Sequence, residues 1–266
     1  MRAKLAIAGL LAGLAAGCMP ATSYNVATQR QETLFISPDR EIALGESVAK
    51  QVEEEFTVVR DPKLLEQLDR VGSRIAAVAD RKDLSYRFTI VEMKERGEEK
   101  DQPNAFSLPG GPVYVSKSLI ELVQSDDELA AVLGHEVGHI VGKHAAKRIQ
   151  GAVGLQMLEI LAAGTRAADA QTRQGMDLAF TSLLLEYSQQ DELEADRLGL
   201  KYLKEAGYEP NAAITFMQRL RDYSMKQPSR RYSYFRTHPH FADRIRLLRQ
   251  NSEGKITFDD YINRKE

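Results

Sequence analysis

A single cysteine, Cys18, stands in 266 residues, and that scarcity excludes an intramolecular disulfide, a CxxC metal knuckle and any multi-cysteine cluster. A bound metal must therefore be held by His, Asp or Glu. An excess of charge is also missing: 36 Lys and Arg face 38 Asp and Glu, spread along the chain, so there is no electrostatic footprint for nucleic acid. The apolar run from Leu5 to Ala16 falls short of the roughly 20 residues of a membrane-spanning helix. No segment recurs at a fixed period of about 20 to 50 residues, which excludes an attached solenoid. What remains is an ordinary globular composition, 43% hydrophobic and 28% charged, with five histidines in two groups. His135, His139 and His144 form one group, His238 and His240 the other.

Arg2 and Lys4, the apolar run and then Gly17-Cys18 have the basic, apolar and small-residue parts of a secretory signal. Ala15-Ala16-Gly17-Cys18 resembles a bacterial lipobox, with Leu14 one place earlier than the usual leucine. The resemblance implies a signal peptide over 1–17 and a lipid anchor on Cys18. Met19 in place of an aspartate implies sorting to the outer membrane, facing the periplasm. Residues 18–37 are polar without a sustained period and read as a lipidated tether.

Ser37-Pro38 opens a helix running to Phe56, and Asp61-Pro62 opens a second with Leu64, Leu65, Leu68, Val71 and Ile75 on one face. Tyr86 to Val91 alternates as a half-buried strand, followed by a charged loop from Glu92 to Asp101. Asn104 to Leu108 and Val113 to Val115 are short extended segments around Pro109-Gly110-Gly111-Pro112, and their prolines make both edge material. Helices are expected over about 126–149, on to Thr165, then 171–205, 211–223 and 240–250. The fold class is α+β and mainly α, with a small edge sheet.

Within the helix opened by Ser125, with Glu128 in capping-box position, lies His135-Glu136-Val137-Gly138-His139. Histidines four apart share one helical face and can bind one divalent ion, with Glu136 beside the open position. Gly138 argues for close approach of another element. A catalytic zinc site needs a third protein ligand. A histidine three residues after Gly142 would serve, but that position is Ala145, and His144 falls off the shared face. A carboxylate from a later helix is the alternative. Glu192 and Asp196 share a face, the first able to bind metal and the second to hydrogen-bond a ligand imidazole, while Glu194 points away.

These motifs resemble the HtpX-like gluzincin metallopeptidases, the group of the CaaX prenyl protease and the BepA- and LoiP-like envelope proteases. The resemblance runs from Phe35 almost to the end, through Ser37-Pro38, Asn104-Ala105-Phe106 with Pro109-Gly110-Gly111, HExxH with His144, Tyr187-Ser188 with Glu192 to Asp196, and Thr237-His238-Pro239 with Arg244. It implies a single zincin-like metallopeptidase domain over 38–266, with the short LoiP-like members as the nearer pattern. It also implies one zinc ion held by His135, His139 and Glu192, and Asp196 supporting the imidazoles. Gln189 departs from the arginine often found there, a change at a surface contact.

Zinc so held makes a bound water acidic and polarises a scissile carbonyl. Glu136 is then the general base and acid, and His238 and Arg244 are candidate donors to the oxyanion. The resemblance adds a second role for His238, occupying the open zinc position and silencing the enzyme. His144 and His240 read as structural. Extended substrates add to sheet edges, so Asn104, Ala105 and Phe106 are candidates for substrate binding. Residues 151–175 read equally as a lid or as a packed connector. The expected activity is zinc-dependent cleavage of unfolded or misassembled envelope proteins. The alternatives are an assembly factor or chaperone with a repressed zinc site, and a zinc-stabilised lipoprotein without catalysis.

Overall fold

The computed structural model describes residues 22–25, 29–34, 36–94, 102–164, 169–226 and 233–252. The signal segment, Cys18 and Phe35 lie outside the described residues, as does most of the charged loop that follows the first long strand. The expected tether contains a hairpin, β1 (Thr22–Asn25) against β2 (Arg30–Thr33). Asn25 donates from Nδ2 to the Val141 carbonyl at 2.7 Å, so the hairpin docks on the helical body. Backbone pairing holds it, which is why its sequence shows no alternation.

Helix α1 (Pro38–Glu55) starts with Ser37 accepting from Arg40 N, and a short strand, β3 (Phe56–Val58), follows it directly. Asp61 caps α2 (Pro62–Val78) by accepting from Lys63 N and Leu64 N. Next come β4 (Arg87–Met93), β5 (Ala105–Ser107), β6 (Pro112–Ser116) and a short α3 (Lys117–Leu122) capped by Ser116. The rest of the described chain is helical: α4 (Asp126–Val141), α5 (His144–Ala162), α6 (Ala170–Leu183), α7 (Gln189–Glu205), α8 (Ala212–Ser224), α9 (Tyr234–Thr237) and α10 (Phe241–Ser252). The α+β, mainly α class holds, with one small mixed sheet beside the hairpin.

Two of the expected long helices are broken. The one over 126–149 ends at Gly142, because Lys143 adopts a left-handed conformation (φ 55°) before α5 begins. The one over 171–205 ends at Leu184 and restarts at Ser188, which accepts from Asp191 N at 3.1 Å. The second break puts Glu192 in the first turn of α7.

The sheet order is β3-β4-β6-β5, antiparallel except for the β4–β6 pair. The expectation that both segments around the Pro-Gly-Gly-Pro turn are edge strands is therefore half right. β5 is an edge, but β6 is interior, since Pro112 sits at its first residue and costs no mid-strand hydrogen bond. Both faces are covered: Ile90, Ala105, Val113 and Val115 enter the core with α2, α4 and α7. Val91, Phe106 and Tyr114 enter the core with α1, α5 and α6. Burial on both sides explains why β4 shows adjacent buried residues where half-burial was expected. Within 151–175, Leu158, Leu161 and Ala162 lie in the second core and Ser47 Oγ donates to the Leu161 carbonyl, so the end of α5 is packed, while Gly151 to Gln156 is mostly exposed.

Helix α4 is buried along its length from Glu128 to Val141, and α7 crosses it closely. A Cβ on Gly138 would stand 2.8 Å from the Ala195 carbonyl oxygen, and one on Gly199 would stand 3.1 Å from His135 N. These two glycines let the backbones approach until the histidines of α4 face the carboxylates of α7.

Candidate metal centre

Buried side chains from three elements converge: His135 and His139 of α4, Glu192 of α7, and His238 after α9, with one donor atom each lying within 4.8 Å of the others. His139 Nε2 is 3.1 Å from His135 Nε2 and 3.3 Å from Glu192 Oε1. His238 Nδ1 is 3.0 Å from Glu192 Oε1 and 3.3 Å from His135 Nε2. The expected pair on one helical face and the later carboxylate thus come together around one point. Two imidazole nitrogens and a carboxylate oxygen suit zinc.

Glu136 is fully buried, and neither carboxylate oxygen has a hydrogen-bond partner among the described residues. Its neighbour is His238 Nε2, 3.4 Å from Oε1. Burying a carboxylate without donors is costly, and a cation in the adjacent histidine–glutamate cluster would relieve that cost.

Asp196 Oδ1 lies 2.9 Å from His135 Nδ1. Arg244, expected as an oxyanion donor, is also buried, and its Nε and Nη2 both donate to Asp196 at 2.7 Å. Its Nη1 makes an ion contact with Glu192 Oε2. Burial alone would raise the Glu192 and Asp196 pKa values, but the Arg244 charge outweighs it and holds both below the usual carboxylate range, Glu192 far below. Burial drives the His139 pKa well down, keeping its imidazole neutral as a ligand requires. For His238 burial acts downward too, but Glu192 and Glu136 outweigh it and raise the value.

The candidate peptide-binding edge is present but covered. Ala105 is wholly buried and its carbonyl is 3.4 Å from His238 Nε2, while Pro103 O accepts from Tyr234 N. Phe106 turns away from the site to stack on Tyr114 in the second core. Both side-chain polar atoms of Asn104 are buried without hydrogen-bond partners among the described residues. His240 is exposed, and its carbonyl accepts from Arg244 N at the start of α10, in line with a structural role.

Two residues that the sequence gives no metal role stand behind the cluster: His144 contacts His139, and Glu194 contacts His144. His144 Nδ1 is 2.8 Å from His139 Nδ1, and its Nε2 is 3.0 Å from Glu194 Oε2. Tyr187 was noted only within a motif, yet its ring stacks on His139 with centroids 4.0 Å apart. A histidine shortly after HExxH was the available signal, but its direction depends on the break at Lys143.

The model of peptidase family M48 matches residues 62–252 of the chain. The chain belongs to peptidase family M48. This bears out the resemblance to the HtpX-like group and makes the cluster the candidate site of a zinc-dependent family. M48 relatives include the mitochondrial metalloendopeptidase OMA1 of Schizosaccharomyces pombe, 34% identical over 69% of this chain and 51% of the relative. A putative beta-barrel assembly-enhancing protease of Vibrio cholerae is 30% identical over 90% of this chain and 50% of its own length. The beta-barrel assembly-enhancing protease of Escherichia coli is 28% identical over 82% and 44%. The chain spans about half the length of these M48 relatives.

Proposed function

We propose that the chain is a zinc-dependent endopeptidase that cleaves unfolded or misassembled proteins of the bacterial envelope, anchored at the outer membrane through Cys18. The observation that carries the reading is the convergence of His135, His139 and Glu192 beside the buried Glu136 carboxylate, which has no hydrogen-bond partner among the described residues. The bacterial relatives named for beta-barrel assembly and the signal-like start of the chain support the envelope setting.

His135, His139 and Glu192 would hold a zinc ion, which would supply Lewis acidity toward a water and the peptide carbonyl. Glu136 takes the proton of the attacking water and delivers it to the leaving amine. Asp196 accepts from His135 Nδ1 and keeps that imidazole turned to the metal, while Arg244 holds Asp196 and Glu192 ionised. His238 supplies an oxyanion donor once substrate has moved it out of the cluster; Arg244, expected as a second donor, has its Nε and Nη2 on Asp196 and its Nη1 on Glu192, and acts by holding those carboxylates. An extended peptide pairs with β5 along Asn104 to Phe106 after the Ser233–His238 segment withdraws.

The test compares the wild-type chain with Glu136→Gln for zinc content and casein cleavage. Loss of cleavage by about 10²-fold or more with zinc retained is expected; undiminished cleavage by the variant removes the mechanism. The lipid anchor is read from the mass of the mature N-terminus, which must begin at a modified Cys18.

His238 inside the cluster and the covered β5 edge favour a second reading, an assembly factor or chaperone whose zinc site is normally shut. Full complementation of a deletion strain by Glu136→Gln would decide for it.

A further inference from the structure

Behind the cluster runs a second line of contacts, from His139 Nδ1 to His144 Nδ1 at 2.8 Å and from His144 Nε2 to Glu194 Oε2 at 3.0 Å. All three side chains are buried. Hydrogen-bond chemistry orders the protons along it. A carboxylate at Glu194 only accepts, so the tautomer that fits this contact has the His144 proton on Nε2 and a lone pair at Nδ1. His139 Nδ1 must then donate. That leaves His139 Nε2, the atom facing His135 and Glu192, with its lone pair turned into the cluster.

From this order we infer that His144, backed by Glu194, is a positioning residue that sets the tautomer and ring direction of His139 for metal binding. The inference rests on the ligand roles proposed above. It explains how α7 serves two imidazoles from two faces. Asp196 reaches His135 directly, whereas Glu194, two residues earlier and on another face of the helix, reaches His139 only through an interposed ring.

The junction between α4 and α5 is shaped for that ring. Lys143 turns the chain through a left-handed residue (φ 55°), which returns His144 beneath His139. A Cβ at Gly142 would stand 2.4 Å from His144 Nε2, so glycine there leaves the room the ring occupies. Asp191 Oδ1, 3.6 Å from His144 Nε2, adds a second acceptor on the same side. The face of His139 is held as well: Tyr187 stacks on it, and the Arg148 guanidinium covers the other face of Tyr187 at 3.6 Å. His139 is thus constrained in plane by His144 and out of plane by Tyr187.

The experiment measures zinc affinity of the full chain by chelator competition for wild type, His144→Ala, His144→Asn and Gly142→Ala, with melting of each metal-free chain as control. Stoichiometric zinc on the wild type is expected, with affinity about 10- to 100-fold weaker in His144→Ala and Gly142→Ala. That loss should exceed what the metal-free melts account for. His144→Asn, whose Oδ1 can accept where Nδ1 did, should recover part of it. Imidazole ¹⁵N spectra of the zinc-loaded wild type test the same point without a variant, and should show His139 protonated at Nδ1 and His144 at Nε2. Unchanged zinc affinity in His144→Ala, or a His144 ring protonated at Nδ1, overturns the inference alone. A wild-type chain that binds no zinc overturns the ligand reading, and the inference with it.

Discussion

His238 stands against Glu136, Nε2 to Oε1 at 3.4 Å, so the imidazole expected to assist catalysis is packed onto the residue proposed as general base. The same ring faces Glu192 with its other nitrogen and the β5 carbonyl of Ala105 with its edge. In this arrangement it would stand in the way of a peptide pairing with β5 as proposed. His238→Ala in a Glu136→Gln background should therefore bind an unfolded peptide more tightly than Glu136→Gln alone. Fluorescence anisotropy of a labelled casein peptide reads this without turnover, and equal affinities would show that His238 does not guard the cleft.

Arg244 is the cation that compensates two buried carboxylates. Arg244→Met leaves Asp196 and Glu192 buried without it, a change of the kind that costs about 3–5 kcal/mol. Arg244→Lys keeps the charge but loses the paired donation to Asp196, and should fall between. Urea unfolding of the three chains checks the order. A Met variant as stable as wild type would show that the buried pair is compensated elsewhere.

The α4–α7 crossing depends on Gly138. An alanine there meets the Ala195 carbonyl, and overpacking of this kind costs roughly 1–3 kcal/mol. Because the same crossing sets His139 against Glu192, zinc affinity should fall together with stability. Gly151→Ala is the control, since nothing lies within 4 Å of its added Cβ on α5. That variant should be neutral or gain up to about 1 kcal/mol, and thermal melting separates the two.

Glu128, in the first turn of α4, binds Arg219. It accepts from Gln124 N at 2.8 Å, from Thr215 Oγ1 at 3.1 Å and from Arg219 Nη2 at 3.0 Å. Burial would raise its pKa, but the Arg219 hydrogen bond and these other donors outweigh it and hold the carboxyl below the usual range. A depressed carboxylate contributes its full stabilisation above the unfolded value, about 4.3, and loses it as pH falls through the lower folded value. Melting temperature should therefore drop more steeply between about pH 5 and 3 for wild type than for Glu128→Gln. Parallel curves would mean that Glu128 is no part of the acid sensitivity.

Local signals were read correctly where they depend on neighbouring residues. Ser37-Pro38, Asp61-Pro62 and Ser125 with Glu128 all open the helices they announce, because caps act within one turn. In the capping box, Glu128 reaches back to Gln124 N and not to Ser125 N, a shift of one residue that spacing does not reveal. The position of β6 inside the sheet is not readable from sequence, since strand order is a long-range property and Pro112 signals only that one backbone donor is missing there. The hairpin of β1 and β2 is not announced by the sequence, since its backbone pairing and the long-range bond from Asn25 to Val141 leave no alternating pattern to read.

The candidate site divides along the same line. HExxH and the later Glu192 and Asp196 are determined by the sequence alone, since residues four apart on a helix share a face whatever surrounds them. Only the tertiary structure decided that Arg244 neutralises the carboxylates, that His238 lies inside the cluster, and that His144 and Glu194 stand behind His139. The His144 contact depends on the turn at Lys143 and the facing of α4 and α7 on Gly138 against Ala195, while His238 and Arg244 arrive from α9 and α10, far along the chain. Packing of distant segments sets such turns, so the residue letters near them do not show which way a side chain will point.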